Sequence, residues 1–200
     1  MMLPANGHRA HGFSSAHFLD SDEILKEINL KGDETFMDAG CGDGHIAIKV
    51  LEDYNHEGQV YAVDIYDESI EDMDKYKNEN NVENLINIEA DITEGIPGVD
   101  DESIDVILMV NVFHGFKASR RLDEAVAELE RIIKPDGKIA IMDYKAWDVP
   151  KGPPTQARSS PDDLEELFNN HGLKKIYLNE DIGEDIPEGK SHFLIMFQKE

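Results

Sequence analysis

Asp38-Ala39-Gly40-Cys41-Gly42-Asp43-Gly44 lies between a short apolar run, Glu34–Asp38, and a stretch of helical spacing, His45–Tyr54. In that second stretch Ile46, Ala47, Val50, Leu51 and Tyr54 fall on one face. A strand that turns through closely spaced glycines into a helix opens a βαβ unit. Glycine permits positive φ there and lets a ligand approach bare backbone. A dinucleotide loop needs G-x-G-x-x-G, with a pyrophosphate on the helix N-terminus. Here the third glycine, Gly44, comes one residue early, and two acids, Asp38 and Asp43, flank the loop.

Those acids would repel a pyrophosphate and favour a cation. S-adenosylmethionine carries an ammonium and a sulfonium, so the charge pattern favours a methyl donor over NAD. A second apolar run, Gln59–Ile65, contains Asp64, which lies 20 residues beyond Gly44. At about that distance an acid reaches a ribose hydroxyl pair in such units.

Outward from this centre the chain alternates. Glu68–Asn80 reads as helix, Leu85–Ala90 as a strand, and Asp105–Asn111 as a continuously apolar strand covered on both faces. The spacing of Leu122, Ala125, Val126, Leu129, Ile132 and Ile133 predicts a helix over Ala118–Ile133, ended by the turn Pro135-Asp136-Gly137. Lys138–Met142 is the next strand. Ser160, Pro161 and Asp163 are a capping box with proline at the first helical position, for a helix whose face is Leu164, Leu167 and Phe168 and which ends at Gly172. Leu173–Leu178 and His192–Gln198 read as two final strands joined by a short acidic loop, hence antiparallel neighbours. Repeated strand–helix pairs mean an α/β, doubly wound sheet with helices on both faces. One domain over 1–200 is expected, with 1–19 as an arm or lid and 143–160 as a substrate-side loop.

Phe36–Gly44 resembles motif I, and Val60–Asp64 motif II, of class I S-adenosylmethionine-dependent methyltransferases. Glu89-Ala90-Asp91-Ile92 resembles the segment flanking the adenine, Asp105–Asn111 the motif IV strand, and Ile132–Met142 the post-motif region. Within that superfamily the chain is most similar to the small menaquinone/ubiquinone C-methyltransferase-like (type 11) branch. Arsenite methyltransferases are excluded, because they use several cysteines and this chain has only Cys41. The resemblance implies a mostly parallel seven-stranded sheet of order 3-2-1-4-5-7-6, with strand 7 antiparallel. It also implies S-adenosyl-L-methionine as cofactor, held by Asp38, Gly40, Cys41, Gly42, Asp64, Ile65, Asp91, Ile92 and Asn111.

Methyl transfer from a sulfonium is an in-line displacement helped chiefly by alignment. A base is needed only when the nucleophile is protonated, and His114, just beyond the fourth strand, is the candidate catalytic residue. Phe113 and Phe116 read as pocket wall or core; Tyr144 and Trp147 read either as an aromatic face for substrate or as packing. His8, His11 and His17 could suit a metal, but an arm folding over the cofactor is the preferred reading, with no metal expected.

The chain has 43 acidic and 19 basic residues, a net charge of −24, and its densest basic feature is Arg120-Arg121. Nucleic-acid affinity rests on clustered Lys and Arg, so no nucleic acid is expected. No apolar run approaches the roughly 18 residues of a membrane span, Met1–Ala10 lacks a signal-type apolar core, and a cytoplasmic enzyme with a small-molecule substrate is expected. A protein side-chain methyltransferase and a cofactor-binding regulator without turnover stay open. The acceptor and oligomeric state are not determined by the sequence.

Overall fold

The computed structural model describes residues 14–54, 57–149 and 151–200. Its helices are α1 (Ser21–Ile28), α2 (His45–Asp53), α3 (Asp67–Asn80), α4 (Phe113–Ser119), α5 (Leu122–Ile132) and α6 (Pro161–Asn170). Its strands are β1 (Phe36–Ala39), β2 (Val60–Asp64), β3 (Leu85–Glu89), β4 (Ile104–Val110), β5 (Ile133–Tyr144), β6 (Leu173–Ile186) and β7 (Gly189–Lys199). They form one sheet in the order β3-β2-β1-β4-β5-β7-β6. All pairings are parallel except those of β7 with β5 and β6. The order and the antiparallel seventh strand are those the resemblance implied.

Why the central strands are apolar throughout is visible in the core. Met37, Ile107, Met109, Ile139 and Ile141 face one cluster, with Phe113 of α4, Leu129 of α5 and Phe168 of α6. Their neighbours Phe36, Val106, Leu108, Ala140 and Met142 face the other, with Leu25 of α1, Val50 of α2 and Met73 of α3. Successive strand residues point to opposite faces, so covering both faces demands a run without polar alternation.

Three expectations are corrected. The helix predicted over Ala118–Ile133 is two, α4 and α5, broken where Arg120 turns left-handed at φ 61°. The stripe used for that prediction begins at Leu122 and is silent on the turn before it; Phe113–Phe116, for which no element was expected, is the start of α4. Helix α1 had no sequence-based expectation. Its signal was present: Asp20 caps it by accepting from Asp22 N–H at 2.9 Å, and Ile24, Leu25 and Ile28 are buried on one face.

The Pro135-Asp136-Gly137 turn lies inside β5 as a bulge, the register jumping from Ile104–Ile133 to Val106–Lys138. The acidic stretch before His192 is mostly strand rather than loop. β6 and β7 run on to a two-residue turn at Pro187-Glu188, through register shifts that twist the ribbon. One face of this ribbon meets solvent, so its polar composition does not oppose pairing. The expected box at α6 is present, with Ser160 and Asp163 bonding each other's backbone N–H.

These connections position the ligand side. β1 has β2 on one side and β4 on the other, with crossovers leaving in opposite directions, and a ligand crevice lies beyond the carboxyl ends of strands at such a switch point. The last β5–β7 pair is Tyr144–His192, so the hairpin end of Gly189–Ser191 stands beyond β5 on the same side.

Candidate functional site

The turn after β1 is built by three glycines with positive φ, for two different reasons. At Gly40 (φ +83°) a Cβ would sit 2.3 Å from Val112, and at Gly44 (φ +75°) one would sit 1.8 Å from the Met73 sulfur. These two are packing glycines. A Cβ at Gly42 (φ +54°) would meet nothing within 4 Å. Gly42 is therefore where the turn faces open space, and Gly40 and Gly44 let the loop lie close to α4 and α3.

Two carboxylates hold the turn. Asp64 Oδ2 accepts the Gly42 N–H at 2.8 Å, while Oδ1 accepts the Tyr66 N–H at 3.0 Å. Asp38 is buried and accepts the Ala47 N–H in the first turn of α2 at 3.1 Å. Burial raises its pKa to about 7, against the pull of nearby His45. Asp43, ion-paired to His45 Nδ1 at 2.8 Å, is held down at about 2 chiefly by that hydrogen bond. Cys41 is buried, and burial pushes its thiol well above the usual range, so it packs rather than reacts. Next to Asp64, Ile65 is 53% exposed, an uncovered apolar side chain beside the turn.

The remaining expected residues divide. Asp91 Oδ1 accepts from Thr93 N–H at 2.9 Å and Thr93 Oγ1 at 2.6 Å, capping the short 3-10 turn Ile92–Glu94. Ile92 itself points into the core. Asn111 has left-handed backbone, φ 60°, at the end of β4. Its Oδ1 accepts from Nε2 of His192 at 2.9 Å, whose Nδ1 lies 2.6 Å from Ser191 Oγ. His192 is fully buried, and that burial lowers its pKa to about 4, so a neutral ring donates to Asn111 and accepts from Ser191.

His114 stands in the first turn of α4. Its Nδ1 lies 2.9 Å from Asp143 Oδ1, and its backbone N–H donates to Asp143 Oδ2 at 2.8 Å. Phe113 is core, edge-on to Phe116 at 5.7 Å. Tyr144 is buried under His192, ring centroids 4.1 Å apart, and burial lifts its phenol to about 12. Trp147 stays partly exposed with Lys145 Nζ 4.2 Å over its ring. The expected aromatic pair is thus split between packing and surface.

Sequence reasoning missed His192, Arg158 and the partnership of Asp143. Arg158 is buried and donates to the carbonyls of Lys145, Trp147, Val149, Lys151 and Pro153, at 2.6–3.3 Å. A lone arginine before a capping box gives no sign of this. Among the described residues no group of three His, Cys, Asp or Glu could hold a metal; His8 and His11, and most of the expected arm 1–19, lie outside them. No described helix is long and apolar enough to cross a membrane.

The chain resembles known methyltransferases in sequence and in fold. The description of a family of methyltransferase domains matches residues 30–193. The chain is 30% identical over 146 residues, 69% of its length, to the tRNA(Thr) (cytosine(32)-N(3))-methyltransferase of Saccharomyces cerevisiae, of which that covers 22%. It is 24% identical over 121 residues to the demethylmenaquinone methyltransferase of Lactobacillus johnsonii, covering 60% of this chain and 48% of that protein. The chain thus spans about half or less of these two relatives. A SAM dependent methyltransferase from Aquifex aeolicus has the same fold, with a TM-score of 0.77 over 98% of both chains at 24% identity.

Proposed function

Because the chain belongs to the methyltransferase domain family, we propose that it binds S-adenosyl-L-methionine at the turn after β1 and transfers the methyl group to a small acceptor. The observation that carries this is Gly42, open to ligand and tied by its N–H to Asp64, with the buried acid Asp38 behind it. Asp38 supplies negative charge toward an ammonium. We assign the Asp64 carboxylate, beside the open Gly42, to the ribose hydroxyls, and exposed Ile65 to an apolar face of the adenine. Gly40 and Cys41 shape the turn; Asp91 and Asn111 are assigned to the far side of the cofactor, with Ile92 behind Asp91 in the core. The cofactor supplies an electrophilic methyl on a sulfonium, and the protein binds, orients and excludes water.

A small acceptor is favoured over nucleic acid by the charge of −24. One relative methylates tRNA, but polyanion binding rests on basic clusters. Catalytic contact with the acceptor is assigned to His114, at the carboxyl end of the sheet next to β4. Calorimetry against S-adenosylmethionine, S-adenosylhomocysteine and NAD tests the reading. One site per chain for the sulfur nucleosides is expected, and binding of NAD alone overturns it. Tritiated methyl transfer to a metabolite library and to ribonuclease-treated and untreated lysate tests the acceptor; label in RNA would overturn the small-molecule assignment.

A further inference from the structure

We propose that Asp143 is a positioning residue that fixes His114 as a proton acceptor, and that the acceptor substrate therefore presents an ionisable O–H, as in a phenol or an enol. This rests on the methyl-transfer reading above. Asp143, the penultimate residue of β5, is almost fully buried, and both its oxygens are committed. Oδ2 takes the His114 backbone N–H at 2.8 Å, and Oδ1 takes the Tyr144 N–H at 2.7 Å and faces His114 Nδ1 at 2.9 Å. A carboxylate so placed has only acceptor capacity to offer, so Nδ1 must carry a proton. In the neutral imidazole the lone pair is then on Nε2. Among the described residues no hydrogen bond takes up Nε2, and the ring remains 24% exposed. His192 shows the opposite arrangement, with its Nδ1 on a hydroxyl and its Nε2 on Asn111. Of these two histidines, one is closed at both nitrogens and the other is held open at one.

An imidazole oriented by a buried carboxylate is of use where a proton must leave. The acceptor's O–H bond breaks and its proton passes to Nε2. The oxygen's pair forms the bond to the methyl carbon, and the pair of the old carbon–sulfur bond stays on the donor sulfur. The donor loses its positive charge, the imidazole gains one, and the Asp143 carboxylate stabilises it. A thiolate or a free amine needs no such group.

The tautomer is read directly by long-range proton–nitrogen correlation on the ¹⁵N-labelled full chain at alkaline pH. Nδ1 protonated and Nε2 unprotonated on His114 is expected. An Nε2–H tautomer overturns the proposal whether or not any cofactor binds. In Asp143→Asn either side of the amide sets an NH₂ against a backbone N–H, so the fixed tautomer is expected to be lost. His114→Gln, which leaves Asp143 and its backbone bonds in place, guards against a misfolded variant. S-adenosylhomocysteine affinity is expected to stay within about threefold in His114→Gln; failure of the wild type to bind it sinks the methyl-transfer reading and not the tautomer. With labelled donor and matched panels of phenols and hydroxyquinones, thiols and amines, transfer to the hydroxyl panel is expected. His114→Gln should lower kcat roughly 10²–10⁴-fold with KM little changed. No transfer to any hydroxyl acceptor, or equal turnover by the variant, overturns the acceptor class.

Discussion

Two carboxylates of one crevice, Asp64 and Asp38, behave differently because their surroundings differ. Asp64 spends both oxygens on backbone N–H groups and still borders the open Gly42. Asp64→Ala is expected to weaken S-adenosylhomocysteine binding by one to two decades, since a hydrogen bond involving a charged group contributes about 1.5–3 kcal/mol and each 1.4 kcal/mol is about tenfold. An unchanged dissociation constant by calorimetry would mean the wrong acid is assigned. Asp38, buried with its pKa raised to about 7, is half protonated near neutrality. A cation bound beside it favours the ionised form, so cofactor affinity should rise as pH increases through about 7 and level off above it. Proton release on binding at pH values just below 7, measured in buffers of different ionisation enthalpy, checks this. His192 gives the matching stability statement. Its native pKa of about 4 lies below the ordinary 6.5, so between those values the unfolded chain holds a proton that the native one does not. Stability should therefore fall as pH drops through that window, by about 3 kcal/mol from this group. The groups around it are Asp143, His114, Lys151 and Arg158. In His192→Gln that slope should flatten in denaturant titrations at stepped pH.

Among its described residues, the segment 145–158 that follows β5 has little regular structure beyond the short 3-10 turn Thr155–Ala157. Many of its carbonyls converge on one side chain. Arg158 gathers five carbonyls of this segment, Lys117 Nζ bonds the Arg158 carbonyl at 2.6 Å, and Gly152 lies so close to Tyr144 that a Cβ would sit 2.7 Å from the ring. Only a guanidinium has a fork that serves so many acceptors. Arg158→Met should cost about 2–4 kcal/mol, through lost charged hydrogen bonds and unpaired carbonyls. It should also open 145–158 to limited proteolysis ahead of the sheet; a lysine has three donors and should restore only part. Equal proteolytic resistance of wild type and variant would show that the segment is ordered by something else. None of this was legible in the sequence, because the partners of Arg158 are main-chain atoms, and every residue presents the same ones. The caps of α1 and α6, by contrast, are local, and the box at Ser160 was read directly.

At the scale of the molecule, a charge of −24 sits on a fold held by two apolar layers, one on each face of the sheet. Like charges repel over the Debye length, about 10 Å at 0.1 M salt and about 3 Å at 1 M. The thermal midpoint should accordingly rise with sodium chloride over that range, by several degrees if screening contributes 1–2 kcal/mol, at about 2–4 °C per kcal/mol for this size. A salt-independent midpoint would mean that the ion pairs distributed over the surface already offset the excess. Strand alternation, the glycine turn, the acid about 20 residues on and the doubly wound class were legible because each is a short-range pattern dictated by sterics or by periodic burial. The division of Ala118–Ile133 at Arg120, the strand character of the acidic hairpin, and the identity of the partners of His114, Asn111 and Arg158 were decided only in three dimensions. Those features depend on which residues the crossovers bring to the carboxyl end of the sheet. Asp143 lies 29 positions from His114 and His192 lies 81 from Asn111, and at such separations the residues themselves hold no record of each other until the strands have paired.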